Sequence, residues 1–86
     1  MSLFAIMAPS DSVMLIEALK THYPDNHLKV GPGQWLVAGS GTAVDVSNLL
    51  GITTGVSGLA IVSLIGGYFG RAPNNIWEWM ASKGKT

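Results

Sequence analysis

Apolar residues in the first quarter of the chain form one short continuous run and then recur at helical spacing. The run at residues 2–8 is ended by Pro9 and predicts a buried first strand. Ser10 has the properties of a helix N-cap, and Asp11 suits the positive end of a helix. The next apolar residues share one helical face: Val13, Ile16, Leu19 and Tyr23. This part of the chain therefore predicts a strand and an amphipathic helix, which ends at the turn residues 24–26.

Two more short strand patterns surround a glycine-rich turn. Residues 27–30 and 34–38 flank the turn Gly31-Pro32-Gly33, and this arrangement predicts a β-hairpin. Thr42 and Asp45 then have the spacing of a capping box, which predicts a short second helix. Gly51 is placed where a left-handed residue would end that helix.

The last part of the chain predicts a fourth strand and a third helix. The apolar, β-branched run at residues 59–65 has the length of a strand. Pro73 suits the first turn of a helix over about residues 73–83. Ile76, Trp77 and Met80 form its apolar stripe.

The resulting order, β-α-β-β-α-β with a C-terminal helix, predicts an α+β, ferredoxin-like domain over residues 1–86. Its four-stranded antiparallel sheet would have the order fourth, first, third, second, with the first two helices on one face. The first, third and fourth strands are apolar on both faces, which is typical of strands that are covered on both sides. We expect the C-terminal helix, a second copy of the chain, or both to cover the other face.

Composition adds an argument for association. The chain is 48% hydrophobic and only 12% charged, and its formal net charge is zero. A small domain with so few charges exposes apolar surface, which usually marks an interface. We therefore predict a small non-enzymatic protein that acts through self-association, as a homodimer, or through a protein partner. The interface candidates are Leu59, Ile61, Trp77, Trp79 and Met80.

Several other classes are disfavoured. The five basic residues are scattered rather than clustered, which argues against nucleic acid as the main partner. The absence of cysteine excludes a disulfide framework and thiol catalysis. Residues 1–8 lack a signal-peptide pattern, so we expect a cytoplasmic protein. The segment from Leu49 to Gly70 carries no charge over 22 positions, and a small membrane protein spanning it remains an alternative, although its glycines indicate loops.

Two neighbouring stretches resemble a known group of proteins. QWLVAGSGTAVDVSNLLGI, followed by GLAIVSLIGGYFGRA, is similar to small bacterial ferredoxin-like proteins related to the CRISPR-associated endonucleases. The similarity in element order extends from Phe4 to Arg71. It implies a ferredoxin-like fold, dimerisation and, as an alternative function, a nucleic-acid-binding or nuclease-like module. Those nucleases place a catalytic aspartate at the end of the first strand, whereas here Met7-Ala8-Pro9-Ser10 stands there and Asp11 follows at the helix start.

The loops after the first and third strands are the candidate ligand site. We expect these strands to be parallel neighbours, so that both loops lead to helix N-termini at one edge of the sheet, where an anion is favoured. The anion-binding candidates are Ser10, Gly39, Ser40, Gly41 and Thr42. Two ordinary capped helices explain the same residues.

Other chemistry has weaker support in the sequence. His22, Asp25 and His27 surround one turn but match no metal-site spacing, so we predict no metal or cofactor. The acidic residues form no recognisable pair, and no serine has a nucleophile motif around it. The sequence therefore favours a non-enzymatic function and names no catalytic residue.

Overall fold

Strand β1 (Ser2–Met7) and helix α1 (Val13–His22) open the chain in this computed structural model, which describes residues 1–67 and 70–83. Helix α1 begins later than the sequence predicts. Its N-cap is Ser12, whose Oγ accepts a hydrogen bond from the Leu15 N–H, and not Ser10. The helix ends at the C-cap Tyr23, as predicted from the turn that follows.

The hairpin and the second helix are confirmed. Strands β2 (His27–Gly31) and β3 (Gln34–Gly39) pair across the glycine-rich turn. Helix α2 spans Ala43–Leu49, and its capping box is present: the Asp45 N–H donates to Thr42 Oγ1, and the Thr42 N–H donates to Asp45 Oδ2. Gly51 follows with a φ of 76°, the left-handed conformation expected at the helix end.

The rest of the chain contains β4 (Ile61–Leu64) and α3 (Asn74–Lys83). The uncharged segment starting at Leu49 does not form one long helix, because its described part holds the end of α2, a run of turns and β4. The alternative of one membrane-spanning helix from Leu49 to Gly70 is therefore wrong for those residues, and Tyr68 and Phe69 lie outside the described residues. Over residues 1–67 and 70–83, no helix is long and apolar enough to cross a bilayer.

The four strands form one antiparallel sheet with the order β2-β3-β1-β4. The antiparallel sheet predicted from the sequence is confirmed. The prediction that the first and third strands are parallel neighbours, which is incompatible with such a sheet, is wrong. Ser2 lies opposite Gly39, and Met7 lies opposite Gln34. The reason is the hairpin: β3 runs opposite to β2, and α1 returns the chain so that β2 is parallel to β1, with β3 between them.

Each face of the sheet has its own apolar cluster. Helices α1 and α2 cover the first cluster, which consists of Phe4, Ile6, Leu15, Leu19, Tyr23, Trp35, Val37, Val46 and Leu50. Helix α3 supplies Met80 to the second cluster, where it joins Leu3, Leu36 and Ala38, with Ala5, Ile65, Ile76 and Trp79 packed against them. The C-terminal helix thus covers part of the second sheet face, one of the arrangements expected from the sequence.

The apolar stripe of α3 differs from the predicted one. Ile76, Trp79 and Met80 contact the second cluster, whereas the sequence predicts Ile76, Trp77 and Met80. Both sets have helical spacing. Trp79 fits the contact because positions three and four residues after Ile76 lie together on one side of a helix. Trp77 is half-buried.

Candidate functional site

An exposed apolar surface with a defined shape lies where β1 ends and β4 begins. Met7, Leu59 and Ile61 form it together with Ala8, Pro9 and Ala60, and these six residues, here called the apolar patch, line an open cavity of about 410 Å³. Met7 is 50% exposed, Leu59 80% and Ile61 61%. Met7 and Ile61 are opposite each other in the β1–β4 pairing. A contiguous apolar surface of this kind is typical of an interaction site.

The β1 side of the apolar patch is fixed to the hairpin turn. The Ala8 N–H donates to the Gly33 carbonyl at 2.7 Å. In return, the Gly33 N–H donates to Asp11 Oδ1, also at 2.7 Å. Gly33 has a φ of +68°, and a β-carbon there would lie 2.4 Å from the Ala8 carbonyl oxygen. The close approach of the two segments therefore requires glycine at this position.

The β4 side of the patch is fixed to the start of α1. Ser12 Oγ donates to the Ser57 carbonyl at 3.1 Å, two residues before Leu59. The buried Ser57 hydroxyl donates to the carbonyl of Leu50 at 2.5 Å. Side-chain hydrogen bonds thus tie the loop before β4 both to α1 and to the end of α2, and the patch is held from both sides.

The Asp11 side chain connects the loop after β1 to the β2–β3 hairpin, and we call this connection the clamp. Its Oδ2 lies 2.5 Å from Lys29 Nζ, while its Oδ1 accepts from the Gly33 N–H. The hydrogen bond from Lys29, followed by that from Gly33, lowers the pKa of the Asp11 carboxyl. Lys29 Nζ also lies 5.7 Å from the centre of the Trp35 ring. Both carboxylate oxygens of Asp11 are therefore engaged by groups of the chain itself.

The clamp gives a pH prediction. Because folding lowers the pKa of Asp11, its ionised carboxylate stabilises the folded state fully above about pH 4, the usual pKa of an aspartate. This stabilisation is lost as the pH falls through the lower pKa that Asp11 has in the folded state. We expect Asp11→Asn to reduce the free energy of unfolding at pH 7. The difference in this free energy between the variant and the native chain should become smaller towards pH 2, and urea unfolding across this range measures it. Asp25→Asn is the control, since Asp25 has no hydrogen bond or ion pair within the described chain. If Asp11→Asn changed the free energy of unfolding by the same amount at every pH, the stabilising role of the ionised Asp11 would be contradicted.

The predicted interface residues differ in how far they are exposed in the structure. Leu59 and Ile61 are exposed and belong to the apolar patch. Met80 is only 5% exposed, and Trp79 packs beside it in the second cluster. Both side chains therefore already contact the chain's own core. Sequence reasoning missed Met7. The alternation of β1 was the available signal, because it places Met7 on the same face as Leu3.

The predicted anion-binding residues do not come together. Because β1 and β3 are antiparallel, Ser10 lies near the hairpin turn, whereas residues 39–42 lie at the opposite end of the sheet. The first turn of α2 also already has a negative partner, since the Asp45 carboxylate accepts hydrogen bonds from the Thr42 N–H and hydroxyl. The geometric basis for a joint anion site is therefore wrong.

A small polar cleft lies at that opposite end. It has a volume of about 270 Å³ and is lined by His22, Tyr23, Asn26, Ser40 and Asp45, together with the apolar residues Met1, Ala38 and Leu49. Burial, with a smaller contribution from the negative charge of Asp45, raises the pKa of Tyr23. His27 does not join a metal site with His22 and Asp25; its Nδ1 lies 2.5 Å from the Tyr23 carbonyl oxygen. Within residues 1–67 and 70–83, no three metal-ligating side chains cluster.

Comparison with family models, with curated proteins and with solved structures finds no match to this chain.

Proposed function

We propose that this chain is a non-enzymatic interaction domain that associates with a second copy of itself through the apolar patch. The carrying observation is the exposure of Met7, Leu59 and Ile61 around one cavity. The observed strand order is the order expected from the sequence, read from the other edge, and this supports a ferredoxin-like arrangement. Kinship with the CRISPR-associated proteins stays a prediction, and the clamp role of Asp11 favours kinship in fold without nuclease chemistry.

The energetics favour a second copy over a small ligand. Completing the burial of a half-exposed Met, Leu or Ile contributes about 1 to 2 kcal/mol, whereas association costs about 4 to 15 kcal/mol in lost freedom. The three large side chains of one patch barely reach this cost. Self-association buries each contacting side chain twice, once in each copy, so it offsets the cost better than a small ligand does.

Charge also favours self-association. In a symmetric dimer each residue near the two-fold axis meets its own copy or a close neighbour, so like charges there would repel. All six residues of the patch are uncharged, and the chain has no net charge. Neither local nor overall repulsion therefore opposes a dimer.

The proposal is tested by gel filtration with light scattering over a range of protein concentrations. We expect a discrete dimer. Ile61→Lys places a charge in the patch and should weaken dimerisation about a hundredfold or more, because a side chain is lost from both copies. The control is Leu49→Lys, which adds the same charge at a residue that is 48% exposed in the polar cleft. A native chain that stays monomeric at every concentration would refute the proposal, as would equal weakening by both substitutions.

A further inference from the structure

The two edges of the sheet differ in how they are protected against pairing. Edge strand β2 carries Lys29, has a register irregularity between Lys29 and Gly31, and leads into Pro32. Charged side chains, bulges and proline are the usual means of preventing an edge from pairing with another strand. Edge strand β4 is four residues long, and its sequence, Ile-Val-Ser-Leu, contains no charge, bulge or proline. The β4 edge is therefore the one suited to accept a further strand.

The hydrogen-bonding groups on the free side of β4 follow from its pairing with β1. The Ile65 N–H donates to the Leu3 carbonyl at 2.9 Å, so Ile65 faces β1. In an antiparallel pair the residues that face the partner strand alternate with residues that face away. Ile61 and Ser63 consequently face β1, and the N–H and C=O groups of Val62 and Leu64 point outward. Within residues 1–67 and 70–83, the outer edge thus presents two donors and two acceptors.

From this edge we infer how the dimer is built: two copies pair antiparallel through β4, with Ser63 on the two-fold axis, and form one continuous eight-stranded sheet. This inference rests on the proposed function and specifies its partner surface. With Ser63 on the axis, Val62 of each copy lies opposite Leu64 of the other. All outward groups of these two residues then form hydrogen bonds, four in total between the copies. An axis at Val62 would bring Leu64 opposite Ala60, which lies outside the strand.

The side chains are compatible with this register. Ser63 meets Ser63 of the second copy at the close, non-hydrogen-bonded position, where two small side chains fit. Val62 and Leu64 of opposite copies form apolar pairs on one face, and Ile61 lies opposite Ile65 on the other. The chain carries no charge between Leu49 and Gly70, so the paired edges contain no like-charge contact. Ile61 also belongs to the apolar patch, and through its contact with Ile65 of the second copy it is the patch residue that this pairing buries directly.

A single engineered cysteine tests the pairing, because the native chain contains none. Directly opposed residues at the non-hydrogen-bonded position have Cα atoms about 4.5 Å apart, within the range that a disulfide spans. Under a mild oxidant such as oxidised glutathione, Ser63→Cys should form a covalent dimer in high yield on a non-reducing gel. The control Val30→Cys, on the protected β2 edge and also exposed, should stay monomeric. Equal cross-linking at both positions, or none at Ser63→Cys in a chain that dimerises, would overturn edge pairing.

A second pair of variants tests the backbone hydrogen bonds. Leu64→Pro removes an outward N–H that is not used in the pairing with β1, whereas Leu64→Ala shortens the side chain and keeps the N–H. We expect the proline variant to dimerise about ten to a hundred times more weakly than the alanine variant, with both folded by circular dichroism. Equal dimerisation by the two folded variants would overturn edge pairing but would not contradict self-association. A monomeric native chain overturns both proposals.

Discussion

Gly33→Ala is expected to lower the free energy of unfolding by about 2 to 5 kcal/mol, a large part of the net stability of a small domain. Two effects combine at this residue. Its φ of +68° is a left-handed conformation, which costs an alanine about 1 to 2 kcal/mol. In addition, the new β-carbon would lie 2.4 Å from the Ala8 carbonyl oxygen and 3.3 Å from the Ser10 nitrogen. Both neighbours are backbone atoms, so the loop after β1 has to move away from the hairpin turn.

Gly55→Ala is the matched control for this prediction. Gly55 has a similar φ of +82°, but a β-carbon there would have no atom within 4 Å. We therefore expect a loss of only about 1 to 2 kcal/mol, from backbone conformation alone. Urea unfolding of both variants measures the difference, which reports the cost of the close approach. Equal losses would show that the contact between Gly33 and Ala8 relaxes freely.

The Gly33→Ala variant also bears on the apolar patch. Displacing the loop breaks the hydrogen bond from the Ala8 N–H to the Gly33 carbonyl and loosens the one from the Gly33 N–H to Asp11. Ala8 and Pro9 line the patch, so its shape changes with the loop. For the proposed dimer, we expect weaker association by light scattering, in conditions where the variant is still folded.

Local signals in the sequence predicted most of the secondary structure. The capping box of Thr42 and Asp45 and the left-handed Gly51 each depend on contacts within a few residues, and both are present as expected. The glycine-rich turn predicted the hairpin for the same reason. Such signals locate elements along the chain and contain little information about which elements approach one another.

The features that sequence reasoning missed are those set by tertiary contacts. The sequence predicted Ser10 as the N-cap of α1, whereas Ser12 takes the role where Asp11 is held by Lys29 and Gly33. The sequence placed Trp77 in the apolar stripe of α3, and the position of the helix on the sheet brings Trp79 into that contact instead. The candidate site is similar: Leu59 and Ile61 were predicted, but Met7 joins them through strand pairing.

Met80→Asp is expected to detach α3 from the sheet and to lower the free energy of unfolding by about 3 to 5 kcal/mol. Met80 is the buried residue of α3, and it packs on Leu3, Leu36 and Ala38 of the second sheet face. A carboxylate in this cluster would lose its hydration without gaining a partner there. The helix therefore leaves the sheet instead of burying the charge, which exposes apolar side chains of β1 and β3.

Ala81→Asp separates burial from charge in this test. Ala81 is exposed and adjacent to Met80, so both substitutions place a carboxylate in the C-terminal half of the same helix, where the helix dipole disfavours it by a similar amount. We expect Ala81→Asp to cost no more than about 1 kcal/mol and Met80→Asp alone to increase binding of a dye that reports exposed apolar surface. Equal effects of the two variants would mean that α3 does not depend on the second cluster. The expected result would instead show that α3 is held on this sheet face by its contacts with Leu3 and Leu36, whereas Met7 and Ile61 lie outside the cluster that the helix covers.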